Sequence, residues 1–205
     1  MVVIVDYGLG NLGSIKNMLQ FIGFDALISS DKEQISAAKK LILPGVGSFD
    51  QGMINLRERE LLPVLNQRVL IDQVPILGIC LGMQLLGSGS EEGTLPGLSW
   101  IEQETKKFNP EDHQSFPVPH LGWEYVSFKE ESSRLLSGFN AETKFYFAHS
   151  YFVNCKNRED VILQADYIQP FDAGVQKEHI MGVQFHPEKS HKYGMQLLTN
   201  FVSNF

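Results

Sequence analysis

Cys80 stands between two glycines in Gly78-Ile79-Cys80-Leu81-Gly82, after the apolar run Val74, Ile76, Leu77, Ile79 and before Met83, Leu85 and Leu86. That order predicts a buried strand, a tight turn and a short helix. A nucleophile on such a turn is the nucleophile-elbow arrangement, here Gly-x-Cys-x-Gly. At a helix N-terminus the partial positive charge favours thiolate over thiol. The same residues also suit an inert, buried cysteine beside turn glycines, so the chemistry depends on finding a base.

A base is offered by Val183-Gln184-Phe185-His186-Pro187-Glu188-Lys189-Ser190. Val183 and Phe185 alternate with Gln184 and His186, as in a strand ending at the histidine. Residues two apart in extended chain point the same way, which puts His186 and Glu188 on one face. A carboxylate that accepts the Nδ1 hydrogen leaves Nε2 free as a base, and Cys80, His186 and Glu188 together would form a triad for acyl transfer. Taken alone, His-Pro-Glu also reads as a surface turn. A tetrahedral intermediate needs donors for its oxyanion. The Leu81 N–H is one; the Pro44-Gly45-Val46-Gly47 loop, or an ordinary strand-to-helix turn in the same place, is the candidate for another.

Two other chemistries compete. Gly8-Leu9-Gly10-Asn11-Leu12-Gly13 matches G-x-G-x-x-G after a strand, and Asp31 lies near the offset of a ribose-binding acid, the pattern of a dinucleotide-binding oxidoreductase. Asp31 also reads as a helix cap, and the chain is short for a cofactor domain plus a substrate domain. His186, Glu188 and His191 could be grouped around a metal, but neither H-E-x-x-H nor paired-cysteine spacing is present. No metal or cofactor is expected. His149, in an apolar strand, reads as a core histidine and Cys155 as structural.

The elements that must position these groups follow from periodicity. Strands are expected over 2–5, 24–28, 40–43 (ended by Pro44) and 74–79. Helices are expected from Leu12 to Ile22, from Asp31 through Ala38, over 50–60 and over 61–72. This alternation is the signature of a parallel sheet covered by helices. The second half reads as strand-rich: 98–108, 123–128, 145–153, 161–167 and 175–185, the last turning at Lys177-Glu178-His179. A polar loop over 109–119 interrupts it, and a helix over 193–205 ends it. No repeat or linker divides the 205 residues, so a single domain over 1–205 is expected.

Net charge is −7, with 17 basic and 24 acidic residues, which argues against a nucleic-acid surface. Two cysteines imply no disulfide framework and a reducing compartment. The N-terminus lacks the basic region of a signal peptide and no stretch is long enough to span a bilayer, so a cytoplasmic protein is expected.

In combination, Gly78–Gln84 and Gln184–Glu188 resemble the class I, triad-type glutamine amidotransferases. PGVGSF at 44–49, PHLGW at 119–123, FYFAHSY at 145–151 and FHPEKS at 185–190 resemble, within that class, the glutaminase subunits of imidazole glycerol phosphate synthase. The resemblance implies a flavodoxin-like, three-layer α/β sandwich with a mostly parallel sheet. It implies hydrolysis of L-glutamine to glutamate and ammonia through a thioester on Cys80, with His186 as base and Glu188 orienting it. The ammonia would pass to a (β/α)8-barrel cyclase partner in a heterodimer of the histidine pathway. By the same resemblance the oxyanion donors are the backbones of Leu81 and of Val46 or Gly47. Gln84, Glu92, Ser150 and Tyr151 hold the amino-acid end of glutamine, and Asn11, Trp123 and Lys189 face the partner. Gly13 stands where histidine-pathway members commonly carry Arg. Paralogues of this architecture that supply ammonia to amidotransferases of bacterial surface sugars are the alternative.

Overall fold

The computed structural model describes residues 1–111, 114, 116–128 and 133–205. Its first half alternates as the sequence predicts: β1 (Val2–Val5), α1 (Leu12–Phe21), β2 (Ala26–Ser29), α2 (Lys32–Ser36), β3 (Lys40–Gly45), α3 (Phe49–Glu58), α4 (Leu62–Asn66), β4 (Ile76–Cys80) and α5 (Leu81–Leu85). The second half runs β5 (Gly89–Ser90), β6 (Gln103–Lys107), β7 (His120–Ser127), β8 (Lys144–His149), β9 (Tyr151–Cys155), β10 (Val161–Asp166), β11 (Pro170–Lys177), β12 (Ile180–Val183) and α6 (His191–Asn204).

The main sheet has the order β2-β1-β3-β4-β12-β11-β10-β7-β8. From β2 to β12 every pairing is parallel, and from β12 to β8 every pairing is antiparallel. β9 pairs with β11 and with β6, which pairs with β5. The sheet divides the core. Along β1, Val2 and Ile4 face one layer with Ile15 and Leu19 of α1 and Leu197 and Phe201 of α6. Val3 and Val5 face the other, with Ile35 of α2, Met53 and Leu56 of α3, Leu65 of α4 and Leu85 of α5. Strands buried on both faces explain why β1, β3 and β4 read as continuous apolar runs.

Several expectations shift. β3 does not stop at Pro44: it continues to Gly45 and pairs Pro44 with Ile79. Its ladder with β1 ends at Ile42, so the proline lies where the strand has one neighbour and its missing N–H breaks no second ladder. β4 includes Cys80, paired with Gly45. The helix expected over 61–72 is α4 followed by a π-helical turn, Gln67–Ile71. The extended stretch 145–153 is two strands broken at Ser150. Positions 112, 113 and 115 of the polar loop lie outside the described residues. Asp31 caps α2, accepting from the Glu33 and Gln34 N–H groups, so its carboxylate is committed to a helix. Among the described residues no helix is long and apolar enough to cross a membrane.

Candidate active site

β4 ends on Cys80 and α5 starts one residue later. The sharpness of that reversal shows in the backbone: Cys80 has φ 54° and ψ −110°. A non-glycine residue in such a conformation costs on the order of 1–3 kcal/mol and persists where its surroundings dictate it. The surroundings do so here. α5 crosses β3 so closely that a Cβ on Gly82 would overlap the Leu43 carbonyl oxygen. The second glycine of Gly-x-Cys-x-Gly is thus the contact that lets the turn close.

β12 lies beside β4 in parallel, pairing Val183 with Ile79. Both strands therefore deliver their next residues to the same edge of the sheet. Beyond β12, His186 N–H donates to the Tyr146 carbonyl at 2.9 Å, and Pro187–Lys189 form one turn of 3₁₀ helix. That turn brings Glu188 back: its Oε1 lies 2.8 Å from His186 Nδ1, with side chains 1% and 3% exposed. The carboxylate holds the Nδ1 hydrogen, which leaves Nε2 as the nitrogen that can give or take a proton. Nε2 is buried and, among the described residues, without a hydrogen-bond partner of good geometry. Burial disfavours the imidazolium, but a Cys80 thiolate and Glu188 outweigh it and push His186 up to about 10. The arrangement therefore gives the Cys80 sulfur an imidazole that can exchange a proton.

A cavity of about 170 Å3 opens over the sulfur. It is lined by Cys80, by Leu81, Val46 and Gly47, and by Gln84, Glu92, Ser150 and Tyr151. These are all of the residues expected to serve as nucleophile, oxyanion donors and glutamine contacts. Leu81 opens α5, so its N–H has no partner within the helix. Gly47 has φ 122°, a conformation that frees the loop after β3 to turn its backbone toward the cavity. Glu92 does two things. It lines the cavity, and its Oε2 accepts from the Phe49 N–H at 2.8 Å, capping α3 where the Ser48 side chain makes no capping bond. Its loop is pinned to α3 by Asp50, which accepts from the Thr94 and Leu95 N–H groups; these bonds hold the Asp50 carboxyl below the usual range. A larger groove of about 450 Å3 is lined by Ser88, Gln103 and Lys156 among others, and none of its described lining residues is a cysteine or histidine.

Of the residues expected at a partner surface, two share one patch and the third starts a helix packed beside it. Trp123 is 38% exposed, stacks on His191 at 5.6 Å and meets Tyr146 edge-on. Lys189 Nζ lies 5.7 Å from the same Tyr146 ring, so Trp123 and Lys189 share one patch. Asn11 is exposed at the start of α1, which packs against the Pro187–Lys189 turn. His191 is committed to Trp123, and among the described residues no group of three His, Cys, Asp or Glu is arranged to hold a metal.

Three features escape sequence reasoning. Gln184 is fully buried; its Nε2 donates to Cys80 Sγ at 3.7 Å and its Oε1 accepts from Gln84 Nε2 at 3.2 Å. The alternation that placed His186 on a face also placed Gln184 there, which is the signal that could have found it. Tyr7 is fully buried with an unpartnered hydroxyl, which burial first and Cys80 second push above its ordinary value. His149 is not a plain core histidine: it lines the cavity and its Nδ1 lies 2.7 Å from the Tyr151 carbonyl oxygen.

A strained cysteine elbow, a carboxylate-held histidine at the end of the adjacent parallel strand and a mixed sheet between two helical layers are features of one class. The family model for glutamine amidotransferase class-I matches residues 3–205, and the chain belongs to that family. It is similar to imidazole glycerol phosphate synthase subunit HisH 2 of Methanococcus maripaludis (51% identity, 98% of both chains) and of Pseudomonas aeruginosa (48%, 98% of both). It is also similar to subunit HisH of Leptospira interrogans (43%, covering 99% of this chain and 100% of that one). Among solved structures, a glutamine amidotransferase superposes with TM-score 0.75 at 19% identity, over 98% of this chain and 97% of that one. PurLQS from Thermotoga maritima does so with TM-score 0.75 at 17% identity, over 99% and 97%. These structural likenesses bear on the fold.

Proposed function

We infer that this chain is the glutaminase subunit of an imidazole glycerol phosphate synthase, a cytoplasmic enzyme of histidine biosynthesis. The whole chain acts as one glutaminase domain. It hydrolyses L-glutamine and passes the ammonia to a (β/α)8-barrel cyclase subunit that docks on the surface carrying Asn11, Trp123 and Lys189. The observation that carries this reading is the cavity: one small space over Cys80 gathers every residue the resemblance assigns to nucleophile, oxyanion and substrate. The relatives' names favour the histidine pathway over a surface-sugar paralogue.

The chemistry follows from the geometry. The Cys80 thiolate attacks the side-chain carbonyl carbon of glutamine. The oxyanion so formed accepts hydrogen bonds from the Leu81 N–H and from the Val46 or Gly47 N–H. His186, protonated at both nitrogens while Glu188 holds Nδ1, gives its Nε2 hydrogen to the departing nitrogen, and ammonia leaves. A γ-glutamyl thioester remains on Cys80. His186 then takes a proton from water, the hydroxide attacks the thioester, and glutamate departs as the thiolate is restored.

A glutamine-analogue diazoketone tests this. It should form a stoichiometric adduct that maps to the Cys80 peptide and is slowed by glutamine. An adduct at Cys155, or none, overturns the assignment. Co-purification from the native host should bring a barrel subunit.

A further inference from the structure

β7 and β8 place His120 directly opposite His149 in their antiparallel register. The two imidazoles continue a line of contacts that leaves the glutamine cavity. His149 Nδ1 is 2.7 Å from the Tyr151 carbonyl oxygen, His149 Nε2 is 3.3 Å from His120 Nδ1, and His120 Nε2 is 3.3 Å from Glu124 Oε1. Inside, His149 and Tyr151 line the cavity, and the Tyr151 carbonyl also accepts from Gln84 Nε2. Outside, the Glu124 side chain is 34% exposed.

Proton counting makes this line more than a packing contact. A carbonyl oxygen only accepts. Three contacts need three hydrogens, and two neutral imidazoles carry two. The third hydrogen belongs to the far end. With Glu124 protonated, its O–H donates to His120 Nε2, His120 Nδ1–H to His149 Nε2, and His149 Nδ1–H to Tyr151.

We propose that Glu124, His120 and His149 are positioning residues of the glutamine site: a chain whose one titrating proton decides whether the Tyr151 carbonyl keeps its imidazole donor. This rests on the glutamine reading above. When the chain loses a proton, a Glu124 carboxylate facing a bare Nε2 is repulsive. The carboxyl hydrogen passes to His120 Nε2, the His120 Nδ1 hydrogen passes to His149 Nε2, and the His149 Nδ1 hydrogen leaves to water at the cavity. Three hydrogens become two plus one released, and Tyr151 faces a bare nitrogen. The Tyr151 backbone then loosens and the cavity holds glutamine less well.

The surroundings favour the protonated chain with neutral imidazoles. Burial pushes His120 down to about 4 and His149 down to about 3, with His120 and His186 adding to the latter. Burial first, and then Asp166 of β10, raises Glu124. Among the described residues Tyr167 is a further titratable neighbour, stacked on His120 at 3.9 Å with its hydroxyl donating to the Pro117 carbonyl, and Phe147 and Phe171 also pack on the His120 ring.

Two measurements on the full chain test this. Nitrogen-15 spectra of the imidazoles should show His149 protonated at Nδ1 on the acid side of the Glu124 titration, which lies above the ordinary carboxylate range, and moving to Nε2 on its basic side. In Glu124→Gln the amide donates to His120 Nε2 at every pH, so His149 should stay Nδ1-protonated throughout. In parallel, KI for diazoketone alkylation of Cys80 should rise on the order of fivefold across that titration in the wild type, the worth of about one hydrogen bond. It should stay low and flat in Glu124→Gln and in His120→Phe, which keeps the ring stack while cutting the chain. A His149 tautomer indifferent to pH, or a Glu124→Gln profile that follows the wild type, overturns the proposal. Failure of Cys80 to alkylate at all would instead overturn the glutamine reading, and the imidazole spectra would still decide the proton chain.

Discussion

The molecule contains two cysteines, and they differ in almost everything except burial. Cys80 is 6% exposed and Cys155 is 2% exposed. Cys155 sits at the end of β9 with its sulfur turned to the Asn157 and Glu102 carbonyl oxygens. Burial, and then Asp160 and Asp172, push its thiol up to about 11, so the inert form is held in place by acceptors and carboxylates. Cys80 accepts from the Gln184 amide, interacts with the His186 imidazole and lines a cavity. The surroundings of the two sulfurs differ in kind: acceptors and negative charge face one, whereas an amide donor and an imidazole face the other.

That contrast can be broken in graded steps. Cys80→Ala should reduce glutamine hydrolysis by at least ~10⁴-fold, as loss of a triad nucleophile does, while Cys155→Ala should leave kcat/KM unchanged. Ammonia release by purified variants checks this, with circular dichroism showing that both fold. Next in size, Glu188→Gln should lower kcat by about 10³-fold with little change in KM, because the amide no longer fixes the His186 tautomer. A matching rise in KM would mean that Glu188 shapes the substrate site instead.

The smallest effect is on stability. His186 is raised in the folded state, so its contribution is fully present below pH 6.5 and is lost as pH rises through about 10. Removing the thiolate in Cys80→Ala should flatten the fall in Tm across that window. Identical wild-type and variant Tm profiles would show that the pair contributes nothing.

How much of this is legible in the sequence depends on how local the determinants are. β1, β3 and β4 are visible because a strand buried on both faces must be apolar throughout. The elbow is visible because its glycines and nucleophile are contiguous. Pro44 misled because whether a proline ends a strand depends on how many neighbours the strand has at that point, which is a property of the sheet. β5 spans only Gly89 and Ser90 and carries no periodicity. His149 read as core because its neighbours Phe145 and Phe147 are buried. Its pairing with His120 is a matter of register between two strands, and no spacing within either one encodes it.

The placement of the triad across β4 and β12 has a consequence for how the protein comes into being. The proposed nucleophile lies early in the chain, and the residues proposed as its base and orienting carboxylate come more than a hundred residues later, beyond a strand that follows the other eleven described strands in chain order. Without β12 between β4 and β11, Cys80 has no neighbouring strand to bring it the histidine proposed as its base. On the proposed assignment the base therefore depends on the twelfth of the described strands, and the first half of the chain by itself lacks it.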